Sequence, residues 1–236
     1  MEQVPLAMEE KDLETLASAT QHLEHPSLAV RLSSVLGTPI EIGLKLLPRI
    51  VYKKAYAAAH VAISKALRTA VSSLQYDRKS PSQDSFYQAL AGGSGAVGGL
   101  FGIYSLPFEL GISTTIMLRS IAEIARSQGE NIHAPETQLA CLEVFALGGT
   151  AESDDAADTG YYGIRLALAW PVTHAAPHIA RHGLGAKGAP VLATLIQTIS
   201  SRFNIAVSQK LAAQAVPLIG AAGAATVNVL FMQHFQ

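Results

Sequence analysis

Residues 85–128 read SFYQALAGGSGAVGGLFGIYSLPFELGISTTIMLRSIAEIARSQ, and their reading decides the architecture. From Ser85 to Phe108 there are 24 residues without a formal charge, six of them glycine; Glu109, Arg119, Glu123 and Arg126 then appear on the apolar segment that follows. A glycine-dense run feeding a charged apolar helix admits three readings: a membrane span, a tight helix-packing seam, or a polar site inside a core. A second uncharged run covers 211–236, and both runs have the roughly 20 residues that a bilayer crossing needs. Composition weighs against insertion. The first run is largely Gly, Ala and Ser, and the second contains Gln214, Asn228, Gln233 and His234, whereas spans are dominated by large aliphatics. Gly95 and Gly99, Gly98 and Gly102, and Gly220 and Ala224 are each four apart, so each pair shares a helix face and lets another backbone approach. The spacing predicts a close helix pair, residues 91–104 against 217–232. A hairpin that entered lipid on demand would use the same residues.

Working outward toward the N-terminus, Ser80-Pro81-Ser82-Gln83 carries the signature of a helix start, and the hydrophilic break before it, Tyr76–Lys79, is the one candidate boundary. The domain reading is therefore a helical region at 1–80 packed on a core at 81–236. Residues 49–75 hold Arg49, Lys53, Lys54, Lys65 and Arg68 among apolar residues, with no acid from Glu41 to Asp77. Such a helix is either a solvated surface element or a face for anionic lipid or an acidic partner. Thr38-Pro39-Ile40-Glu41 has capping-box spacing, and residues 6–23 fit an amphipathic first helix with an acidic outer face.

Toward the C-terminus, Gln128-Gly129 reads as a helix C-cap, and Pro135 opens a helix that ends at Gly148-Gly149. The acidic stretch Ala151–Thr159 reads as a loop leading to a helix at Gly160–Trp170, after which Pro171 and Pro177 are expected to break the chain up. Helical patterns then cover Pro190–Ala215 and the segment from Pro217 to about Phe235. Caps and three-to-four periodicity recur throughout, and two-residue alternation does not. The fold class is all-α, a compact multi-helix bundle with glycine-rich central helices.

Charges placed in apolar surroundings are the candidate site residues. Arg119, Glu123 and Arg126 share a stripe with Ile112 and Thr115, as a surface salt bridge or a polar lining. Glu143 is the sole charge between Glu136 and Glu152, and Arg165 is similarly isolated, near Tyr161 and Tyr162. A buried charge needs a partner, so Glu143 is expected to be buried and paired with Arg165 or Arg202. The candidate polar pocket comprises Glu109, Arg119, Glu123, Glu143, Tyr162, Arg165 and Arg202. His174, His178 and His182 have metal-compatible spacing, but Pro177 lies among them and no carboxylate is close by, so no metal site is assigned. No Gly-x-Ser-x-Gly elbow, His-Glu-x-x-His or Walker A lysine occurs, and no cofactor is implied.

Seventeen Lys+Arg against eighteen Asp+Glu, with 15% of residues charged, argue against a nucleic-acid partner, whose phosphates demand a basic face. Cys141 is the only cysteine, which excludes an internal disulfide. The acidic start MEQVPLAMEEKDLE lacks the pattern of a secretory signal, and a cytoplasmic location is the expectation.

The stretches LPFELGISTTIMLRSIAEIARSQGE (Leu106–Glu130), ACLEVFALGG (Ala140–Gly149) and SRFNIAVSQKLAAQAVPLIGAAGAATVN (Ser201–Asn228) resemble the EcsC family. The likeness covers about residues 85–236 closely and the N-terminal third more loosely. The resemblance implies a bacterial helical protein, cytoplasmic or peripheral on the inner face of the cell membrane, of a family named for a protein encoded beside an ABC transporter. It carries over no catalytic residue. Two functions follow as expectations: an accessory protein that binds lipid or a membrane protein through Arg49, Lys53, Lys54, Lys65 and Arg68, or an enzyme, such as a hydrolase, with a pocket of Glu109, Arg119, Glu143 and Arg165.

Overall fold

Proline and glycine punctuation divides the chain into helices, and packing of their apolar faces sets the order of the bundle. A computed structural model describes residues 13–18, 28–37, 40–72, 82–101, 106–147, 158–182, 190–215 and 220–236, and among these there is no strand. Residues 13–18 are helical; the rest of the expected first helix lies outside the described residues. The helices that follow are α1 (Leu28–Leu36), α2 (Ile40–Leu46), α3 (Arg49–Ser72), α4 (Asp84–Phe101), α5 (Leu106–Ser127), α6 (Pro135–Leu147), α7 (Asp158–His182), α8 (Pro190–Ala215) and α9 (Gly220–Phe235). The all-α reading holds. Among the described residues no helix is long and apolar enough to cross a membrane.

Two boundaries show how local chemistry places an element. At the end of α5, Gly129 adopts φ 95°, where a side chain would be strained, and so turns the chain out of the helix. The Glu130 N–H donates to the Ala125 carbonyl and the Gly129 N–H to the Arg126 carbonyl, each at 3.0 Å, which satisfies carbonyls the helix end would otherwise leave open. In contrast, α7 passes through both Pro171 and Pro177 without ending, which corrects the expected break. Each proline removes a backbone hydrogen bond. Packing overrides that loss, since Leu168, Pro171, Ala175 and Ile179 form the buried face of α7 against α6 and α8.

The central element is α8, which packs on α1, α2, α3, α6, α7 and α9, while α5 packs on α3, α4, α6 and α9. Helices from both sides of residue 80 contribute to one continuous apolar core. Where α6, α8 and α9 meet, Phe145 lies 4.8 Å from Phe203 and 5.3 Å from Phe235 between ring centroids, and Phe231 lies 5.3 Å from Phe235. Edge-on and tilted geometries of this kind add to the gain from burial.

Candidate functional site

The glycine seam leads directly to the most unusual group of side chains in the core. Helices α4 and α9 run antiparallel: Gly92 faces Val229 and Ala225, while Gly95 faces Ala224 and Asn228. A Cβ on Gly95 would stand 2.7 Å from the Ala224 carbonyl oxygen, so glycine is what allows this approach. The expected pairing of the two glycine-rich helices is therefore present at Gly95 and Ala224. Gly98 makes room for something else. A Cβ there would fall 2.8 Å from Cγ of Glu109, so the missing side chain of α4 houses a carboxylate carried by α5. The surroundings of Gly99 and Gly220, and all of Gly102, lie outside what is described.

Glu109 is only 4% exposed and its partner is Lys210 of α8, 1% exposed, with Nζ 2.8 Å from Oε1. Asn228 of α9 donates from Nδ2 to the same Oε1 at 2.9 Å and to the Ala91 carbonyl of α4 at 3.0 Å. The Lys210 ammonium also lies 5.0 Å from the centroid of the Phe231 ring, whose π face favours a cation. Four helices thus meet at one buried ion pair. Charges are tolerated there because each meets an opposite charge or a dipole, while removal of either would strand the other. Two further polar atoms, Asn228 Oδ1 and Gln214 Nε2 one turn beyond Lys210, are buried without a hydrogen-bond partner among the described residues.

The sequence pointed to Glu109 and missed Lys210 and Asn228. A signal was present: Lys210 is the last charged residue of the chain, within an otherwise uncharged stretch after Arg202. Its pairing with Glu109 spans 101 positions, which no helical spacing can reveal.

Among the described residues, no hydrogen bond or ion pair joins the remaining pocket candidates to this centre. Arg119 lies ten residues beyond Glu109 on α5, about 15 Å along the axis, and its Nε donates to the Tyr87 hydroxyl at 2.9 Å. Glu123 bonds Arg126 at 3.1 Å, and with 7% and 9% exposure the two form an interior pair, so of the two readings of this stripe the surface salt bridge does not apply. Burial raises the Tyr87 phenol above its usual range; the Arg119 hydrogen bond opposes this and the neighbouring Glu123 carboxylate adds to it. Next to them runs an amide relay: Arg31 donates to Gln233 at 2.8 Å, Gln233 to Gln88 at 3.3 Å, Gln88 to Gln236 at 2.8 Å, and Gln236 to Ser120 at 2.8 Å.

Glu143 departs from expectation. It is half-buried rather than buried and, among the described residues, makes no ion pair. Burial raises its carboxyl above the ordinary range, and the charge of the exposed Arg165 only partly offsets this. Arg202 is half-buried on α8. Of the expected four-residue pocket of Glu109, Arg119, Glu143 and Arg165, Glu109 bonds Lys210 and Asn228, Arg119 bonds Tyr87, and Glu143 feels the charge of Arg165. Tyr162 belongs to α7, but its side chain is outside what is described. His174 and His182 each bond a backbone carbonyl four residues back through Nδ1, at 2.8 and 3.2 Å. Among the described residues no group of three or more His, Cys, Asp or Glu side chains is placed to hold a metal ion.

The sequence model of the EcsC protein family matches residues 10–236, N-terminal helices included. The chain belongs to this family. No curated protein and no solved structure matches it.

The surface of this EcsC-family protein carries its second candidate site on α3. Arg49, Lys53, Lys54 and Lys65 are all exposed; the Arg68 side chain is outside what is described. Ile50, 62% exposed, and Val61, 50% exposed, lie among them. At about 100° per residue these six positions occupy an arc of roughly 160°. The opposite face, with Val51, Ala55, Ala59, Ala62, Ile63 and Ala66, is buried in the core.

Proposed function

We propose that this EcsC-family protein is a peripheral binding protein that docks on an anionic lipid surface, such as the inner face of a bacterial membrane, through the outer face of α3. The observation that carries the reading is the mixture on that face: four exposed cations, no acid, and two large aliphatic side chains among them. Cations draw an amphipathic helix to anionic headgroups, and exposed Ile and Val gain by entering the acyl boundary.

The interior pair supports a binding rather than a catalytic role. A reacting group must meet its substrate, and Lys210 at 1% exposure meets, among the described residues, Glu109, Phe231 and the core. Its chemistry here is to hold four helices in register.

Flotation with vesicles tests the proposal. The protein is expected to rise with phosphatidylglycerol vesicles at low salt, to detach as salt screens the attraction, and to ignore zwitterionic vesicles. Each cation near such a surface contributes about 1 kcal/mol, so Lys53→Gln with Lys54→Gln should lower partitioning roughly thirtyfold. Both side chains are exposed, so the fold should be untouched. Protein that stays in solution with anionic vesicles at low salt sinks the reading.

A further inference from the structure

We infer that the outer face of α7 is a second lipid contact, in which Trp170 and Leu166 enter the boundary between headgroups and acyl chains of an anionic bilayer. The inference rests on the reading of this protein as a lipid-docking one, and it concerns a different helix from the one that carries that reading.

Leu166 is 78% exposed and Trp170, the only tryptophan in the chain, 58% exposed. They stand one turn apart, on the side of α7 opposite the buried Leu168, Ala175 and Ile179. At about 100° per residue, Leu166, Trp170, His174, Pro177 and Arg181 fall within an arc of roughly 80°. All of these except the polar His174 and Arg181 present apolar atoms outward. The indole is also held in place: the His174 ring stacks on it at 4.4 Å between centroids and 28° between planes, and His174 Nδ1 bonds the Trp170 carbonyl. A fixed, exposed tryptophan loses little conformational freedom on being covered.

The charge pattern selects the occupant. No Asp or Glu occurs anywhere after Asp158, while α7 exposes Arg165 and Arg181. Beyond Asp158 at its N-terminus, α7 carries only positive formal charge, which complements a negatively charged sheet of headgroups. Tryptophan suits the same place, since its ring is apolar and its N–H is satisfied at the wet edge of a bilayer. The residues around the pair, Gly163, Ala167, Ala169 and Thr173, are small and exposed, and leave Leu166 and Trp170 projecting from a surface rather than lining a groove. Projection suits a fluid bilayer, which closes around an inserted side chain.

Because Trp170 is the sole tryptophan, its emission reports on this face alone. On addition of phosphatidylglycerol vesicles, the emission of the intact chain should move to shorter wavelength and be quenched by lipids with brominated acyl chains. Trp170→Ala and Leu166→Ala should each lower partitioning on the order of tenfold, with the helical circular-dichroism signal unchanged. If the protein floats with the vesicles while Trp170 emission and quenching stay as in buffer, the α7 contact is overturned and the α3 reading survives. If Lys53→Gln with Lys54→Gln floats like the parent while Trp170 is still quenched, the α7 contact is supported and α3 loses its role. A Trp170 signal that shifts only with added protein partners, and never with vesicles, overturns the lipid assignment.

Discussion

Glu109 and Lys210 form an ion pair deeper than anything else ionic among the described residues, and the pair makes an exacting prediction. Lys210→Met should cost about 3–5 kcal/mol in a urea titration, because the Glu109 carboxylate is then buried with only Asn228 beside it. Glu109→Leu combined with Lys210→Met should recover most of that loss, since well-packed apolar pairs often replace buried charges at no cost. The glycines allow a matched comparison on one helix. Gly98→Ala would press a methyl onto Glu109 and should cost about 1–3 kcal/mol, whereas Gly93 has nothing within 4 Å of its Cβ position, and Gly93→Ala should stabilise α4 by up to about 1 kcal/mol. Equal melting temperatures for the two variants would dismiss the idea that Gly98 houses the carboxylate. At Glu143 the sign runs the other way from an ion pair. Its carboxyl is raised above the ordinary value, so the folded state binds the proton more tightly than the unfolded one. That contribution is fully present below the unfolded value near 4.5 and is lost as pH rises through the raised folded value. Glu143→Gln should therefore melt no lower than the parent at pH 7, and the parent should close the gap as the pH is lowered toward 4. A large loss of stability in Glu143→Gln at neutral pH would restore the ion pair that the sequence suggested.

At the scale of the helix, the elements legible in the sequence are those whose boundaries are written in local chemistry. Gly129 ends α5, and Pro135 and Pro190 start α6 and α8, because a left-handed glycine and an N-terminal proline act within one turn. Gly129→Ala should thus cost about 1–2 kcal/mol, readable as a lower thermal midpoint with the helix content kept. Pro171 and Pro177 misled for the complementary reason. Their effect is decided by what packs on the helix, and the buried face of α7 is formed by residues that only the tertiary structure brings onto α6 and α8. The same divide applies to the candidate site. Glu109 was legible as a charge in an apolar run, but Lys210 and Asn228 reach it across helices, and Gly98 was read as part of a seam between two helices when its space belongs to a third. On α3 the basic face was legible as composition; the exposure of Ile50 and Val61 within it was not.

For the molecule as a whole, one core joins helices from residue 28 to residue 235, and Cys141 is enclosed within it. Burial pushes its thiol up to about 11, so an alkylating reagent at pH 8 should leave the native protein unmodified and label it only at the rate at which the bundle opens. Rapid labelling without denaturant would show that α6 is not packed as described. The ion pair at the centre of this core also has a history in time. Lys210 follows Glu109 by 101 positions and Asn228 by 119. At about 5–20 residues per second, a ribosome makes the carboxylate roughly 5–20 s before the ammonium that neutralises it. During that interval α5 is present with its apolar residues Leu110, Met117 and Leu118, but α8 is unfinished and α9 does not yet exist to complete the enclosure. A nascent chain stalled before Lys210 therefore carries an unmatched charge beside uncovered apolar surface, and it is this unfinished chain that chaperones and proteases would encounter first.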